Sequence, residues 1–154
     1  MLVSLLGKAY AGEFAISEEI AECLLYTNDD ECWNSLFVMM HDCEVHRIMI
    51  EDIVKSLGFD IENFREYSFK TVNIRRYEAE GEKDVSKLLS EIHRWVEGIR
   101  RYYAHLLNFD FSEVAKKVRD EAIIKLKDTL KQLMEMKEKH VKTIKKLLSD
   151  KNFE

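Results

Sequence analysis

Residues 31–57 read ECWNSLFVMMHDCEVHRIMIEDIVKSL and are followed by Gly58. Trp33, Leu36, Met40, Cys43, Ile50, Val54 and Leu57 recur at steps of three and four, so they share one side of a helix. His46 lies at the edge of that side, one turn after Cys43. A second apolar stripe, Val38, Val45, Ile48 and Met49, runs down the opposite side. A helix that is apolar on two sides must be covered twice. One cover is its own chain. A second copy is expected for the other, so the reading is a homodimer through the second face.

Outward from this stretch the composition is that of a helical protein. It has 154 residues, no proline, five glycines and 34% charged residues, which favours one domain of long helices with few breaks. No apolar run is long enough to span a membrane. The first residues, MLVSLLGKAYAGEF, lack a basic leader and carry Lys8 within the apolar part, so they make a poor secretory signal. A cytoplasmic location is expected. The three cysteines, Cys23, Cys32 and Cys43, are odd in number and form no C-x-x-C pair, which argues against a disulfide framework or a four-cysteine metal site.

Charge is unevenly placed within the net −5. Residues 1–62 hold thirteen acids against three bases, and residues 125–146 hold eight lysines against three acids. The lysines spread around the helix without interleaved aromatics. They read as a solvated face beside an acidic hairpin, and no nucleic-acid partner is expected.

Four helices are predicted, over about 2–25, 31–57, 84–107 and 112–148. In the first, Leu2, Leu6, Ala9, Ile16, Ile20 and Leu24 form the buried stripe, and Glu13 falls in its middle. A lone ionised carboxylate in a core is costly, so Glu13 needs a partner, a metal, a cavity or a shifted pKa. Asn28, Asp29 or Asp30 caps the second helix, and Gly58 ends it. Asp84 caps the third, whose stripe is Leu88, Ile92, Trp95, Val96, Ile99, Tyr102, Tyr103 and Leu106, with Glu91 at its edge. Asp110 or Ser112 caps the fourth, with Val118, Ala122, Leu126, Leu133, His140, Ile144 and Leu147 inside and Lys137 near the edge. A kink near 120–125 is allowed for, because a segment this long is unusual for one helix.

The connection over about 58–83 is long and scattered with aromatics (Phe59, Phe64, Tyr67, Phe69, Tyr77). It makes geometric sense if the third helix runs parallel to the second, so that the chain travels back along the bundle. Short turn, long crossover, short turn is the pattern of an all-α four-helix bundle made of two antiparallel hairpins.

Candidate metal ligands then come from three helices: Glu13, His46 and His140, with Cys43 beside them, Glu91 and Lys137 as neighbours and Tyr103 as a hydroxyl near the polar layer. HDCEVHRIMIEDIVKSLG and MEMKEKHVKTIKKLL resemble the Glu-x-x-His helices of the ferritin-like superfamily, in its rubrerythrin-like branch. That resemblance implies a di-iron or di-manganese carboxylate centre held in the middle of the bundle. The ligand set is degenerate. Cys43 and Lys137 stand where the family motifs have glutamate, Glu13-x-x-Ile16-x-x-x-Ile20 keeps the Glu without the Tyr, and Val96-x-x-Ile99-x-x-x-Tyr103 keeps the Tyr without the Glu.

Three readings follow. In one, a reduced iron, manganese or zinc site on Glu13, His46 and His140 serves peroxide or iron handling. In another, the metal site is lost, Glu13 pairs with Lys137 or a histidine, Cys43 packs as a small apolar residue, and the protein is a dimeric binding or structural module. In the third, the chain is another kind of helical adaptor.

Overall fold

The structure, a computed structural model, describes residues 1–71 and 84–151. Six helices follow in order: α1 (Leu2–Tyr26), α2 (Asp30–Ser56), α3 (Ile61–Thr71), α4 (Val85–Leu107), α5 (Ser112–Ala115) and α6 (Asp120–Lys151). The described residues contain no strand. None of the helices is long and apolar enough to cross a membrane.

The helix ends follow the expected chemistry. The Asp29 carboxylate accepts the Cys32 N–H at 2.7 Å and opens α2, and Asp84 does the same for α4 through Ser86 N at 2.9 Å. Gly58, with φ +83°, takes the left-handed conformation that stops α2.

Helix α1 packs on both α2 and α4, and α6 packs on the same two helices. Tyr10 meets Glu51 and Glu13 meets His46, so α1 and α2 run antiparallel. Lys146 meets Glu31 while Lys125 meets Ser56, so α2 and α6 also run antiparallel. One core lies between these four long helices, with Leu6, Ile16, Leu36, Ile50, Leu89, Val96, Leu126 and Leu133 fully buried in it. Helices α1 and α4 approach closely at Gly12, where an added Cβ would lie 2.3 Å from Ile99 Cδ1.

Three expectations need correction. The connection after Gly58 is not irregular throughout, because residues 61–71 form α3. That helix is held by Phe64, which is buried, and by Arg65, whose guanidinium donates from Nε to Glu51 Oε1 at 2.7 Å and from Nη2 to Oε2 at 2.8 Å. The remainder of the predicted crossover, residues 72–83 with Tyr77, lies outside the described residues. The fourth predicted helix is two: α5 ends at Ala115, a turn follows, and α6 begins at Asp120. The interruption precedes the region where a kink was expected. Trp33 and Trp95, placed on buried stripes, are 38% and 37% exposed, because a wide ring at the edge of a stripe keeps only one side against its neighbours.

Candidate polar core site

Glu13 is fully buried at the middle of α1, as the spacing of its neighbours requires. Three helices supply its partners. Lys137 Nζ, from α6, lies 2.6 Å from Glu13 Oε2. The Tyr103 hydroxyl, from α4, donates to Glu13 Oε1 at 2.7 Å. His46 Nδ1, from α2, lies 3.3 Å from the same oxygen. Lys137 also donates to Cys43 Sγ at 3.6 Å, and Glu13, His46, Cys43, Tyr103 and Lys137 are all closed to solvent.

The electrostatics follow from this enclosure. Burial by itself would raise the Glu13 carboxyl, but Lys137 and His46 hold it down at about 2. Burial works equally against the Lys137 charge, yet Glu13 keeps the ammonium above its ordinary pKa. The pair is therefore ionised on both sides. Burial pushes the Cys43 thiol up to about 12, which makes it a small packing residue rather than a nucleophile. Burial and the Glu13 charge raise the Tyr103 hydroxyl well above its usual range, so it remains a donor.

His140 sits one turn after Lys137 on α6. Its Nε2–H donates to Asp42 Oδ2 at 2.8 Å, and its ring stacks on His46 with centroids 5.6 Å apart. Burial, then the Lys137 charge, lowers its pKa to about 4. His140 Nδ1 and His46 Nε2 have no hydrogen-bond partner among the protein atoms.

Glu13, His46, His140, Cys43, Lys137 and Tyr103 thus gather in one layer. Glu91 does not join them. It is exposed on α4, pairs with Arg94 at 2.9 Å, and lines an open groove with Lys8, Glu19 and Glu22 of α1 rather than the core. Asp42, which the periodicity did not single out, enters the layer as the partner of His140. A second polar group also escaped the sequence reading: buried Glu51, which accepts from Tyr10 at 2.9 Å and from Arg65. Its only signal in the sequence was a carboxylate adjoining the apolar side of α2.

The layer does not fit a di-metal centre. An ammonium occupies the space between Glu13 and Cys43, where a metal would need its ligands to converge, and its charge opposes a divalent cation there. His140 Nε2 is committed to Asp42. Among the described residues, no group of three or more His, Cys, Asp and Glu side chains is disposed to hold a metal ion. What the arrangement does chemically is neutralise one buried carboxylate with one buried ammonium and join four helices through it. Comparison of the chain with protein-family profiles, curated proteins and solved structures finds no match in any of the three.

Proposed function

We propose that the chain is a ferritin-like four-helix bundle acting as a dimeric structural or binding module in the cytoplasm, with an internal ion pair where ferritin-like proteins carry metal. The observation that carries this reading is the contact between Lys137 Nζ and Glu13 Oε2 at 2.6 Å, both groups being fully buried. A lysine ammonium supplies the positive charge that a buried carboxylate otherwise takes from a metal, and it does so without an open coordination position. The two antiparallel contacts, α1 with α2 and α2 with α6, and the helix-bearing connection after Gly58 support the bundle topology.

Elemental analysis tests this. Untagged protein expressed with iron, manganese and zinc available should contain no stoichiometric metal. Near-stoichiometric metal that disappears in both Glu13→Ala and His46→Ala would overturn the reading. A second reading, a single iron, manganese or zinc ion on Glu13, His46 and His140 in peroxide or iron handling, draws on the unpartnered His46 Nε2 and His140 Nδ1. It requires Lys137 to leave Glu13, so the same measurement separates the two.

A further inference from the structure

The outer face of α2 is apolar and uncovered by the described residues. Val38 and Ile48 are 57% and 58% exposed, Val45 is 36% exposed, and Phe37 is 46% exposed with its ring stacked on Trp33 at 5.1 Å. Isolated apolar residues on a surface need no explanation. Five on one side of one helix, interspersed with the exposed Asn34, His41 and Glu44, make a mixed patch of the kind that marks an interaction site.

The order of residues along this face says what covers it. Reflection about position 43 pairs Val38 with Ile48, Phe37 with Met49, His41 with Val45, and Glu31 with Lys55. Two apolar pairs thus map onto each other, Val38 with Ile48 and Phe37 with Met49, and Glu31, whose carboxylate also meets Lys146 of its own chain at 3.0 Å, falls opposite Lys55 near the basic end of the helix. A two-fold axis through the middle of α2 performs this reflection when two copies pack antiparallel. Parallel, in-register packing would instead set Asp30 and Glu31 against their own copies. Antiparallel packing also opposes the two helix dipoles favourably. Asp42 and Glu44 fall opposite each other across the axis, but each is already engaged, Asp42 with His140 at 2.8 Å and Glu44 with Arg47 at 3.5 Å. The helix has 27 residues, about 40 Å of axis, and its exposed apolar residues lie between 33 and 48 in the middle of it.

We infer that the partner of this face is a second copy of the chain, docked through an antiparallel α2–α2 contact centred near position 43. The inference rests on the dimeric reading above and adds its geometry. Sedimentation of the full chain should give a dimer, and Val45→Glu, an exposed position, should weaken it at least tenfold. Val38→Cys and Ile48→Cys proteins, mixed and oxidised with diamide, should form a disulfide-linked heterodimer. Val38→Cys alone should not cross-link, because its two copies lie ten residues apart along the axis, about 15 Å. The native cysteines are buried and contribute little background. Lys55→Glu should weaken the dimer and Glu31→Lys in the same chain should restore it. A monomer at all accessible concentrations overturns both the dimer and its geometry. A dimer that survives Val45→Glu, or that gives no Val38–Ile48 cross-link, overturns the geometry and leaves the dimer standing.

Discussion

Lys137 Nζ lies 2.6 Å from Glu13 Oε2, and neither side chain reaches solvent. The pair ties α1 to α6, which sit diagonally across the core. Burying both charges costs desolvation energy that their attraction roughly offsets, so the pair is no large source of stability. Removing one partner is different. Lys137→Met leaves the buried Glu13 without its ammonium partner, with only Tyr103 and His46 beside it, and should cost about 3–5 kcal/mol in urea unfolding. Glu13→Gln in the same chain should recover most of that loss. A Lys137→Met cost below about 1 kcal/mol would mean that water or another cation reaches Glu13.

Tyr103→Phe removes the one hydroxyl that donates to Glu13 at 2.7 Å, without changing the packing. The expected loss is about 1–3 kcal/mol, the range for depriving a buried charged acceptor of a donor. In the Glu13→Gln background the loss should shrink, because a neutral amide accepts a weaker bond. Equal losses in the two backgrounds would show that Tyr103 acts by packing alone.

Stability should depend on pH at both ends. His140 is lowered from 6.5 to about 4 by burial and Lys137, so the unfolded chain binds the proton first and stability falls as pH drops from 6.5 towards 4. Glu13 is held down at about 2, so its contribution is complete above its ordinary 4.5 and is lost as pH falls through 2. On the alkaline side, Cys43 is raised from 9.0 to about 12 by burial. The unfolded chain loses its proton first, and stability declines above pH 9. His140→Gln should flatten the acid limb between pH 6.5 and 4, and Cys43→Ala the start of the alkaline limb between pH 9 and 10, above which the raised Tyr103 hydroxyl contributes in the same direction. Unfolding midpoints measured across pH check each limb, and an unchanged slope in either variant refutes its assignment.

Arg65 is the clamp that holds α3 to α2 through both oxygens of Glu51. Arg65→Ala should speed hydrogen exchange at amides 61–71 several-fold while leaving α4 and α6 protected, because among the described residues α3 packs chiefly on α1 and α2. Faster exchange throughout the chain would instead make the clamp part of global stability.

Gly12 sits against Ile99 where α1 packs on α4. Gly12→Ala would bring a Cβ to 2.3 Å from Ile99 Cδ1, the tip of a flexible side chain. The expected cost is at the low end of overpacking, about 1 kcal/mol. Ile99→Val removes the clashing methyl, and the double variant should be more stable than Gly12→Ala alone. No rescue would place the strain in the backbone of α1.

Much of this was legible along the chain. Helical period alone put Glu13 in a buried stripe, and the cost of a bare carboxylate there demanded a partner. The aspartates that cap α2 and α4 and the glycine that ends α2 act through neighbouring backbone groups, so local sequence was enough to find them. The break between α5 and α6 was not legible in the same way, since residues 116–119 hold neither glycine nor proline. Nor was α3, whose short apolar pattern is stabilised by Phe64 under Tyr10 and by a clamp fourteen residues away in sequence.

The sequence by itself determined the helical class, the places where α1, α2 and α4 begin or end, and the presence of charged and ionisable groups on buried faces. These depend on spacing and on neighbours within a few residues. Only the tertiary structure decided which of those groups meet. Lys137 and Glu91 both look like edge residues on their own helices. The relative rotation of packed helices turns Lys137 into the core against Glu13 and leaves Glu91 on the surface with Arg94. That rotation is set by the packing of whole faces against one another, and no single helix carries it in its own sequence.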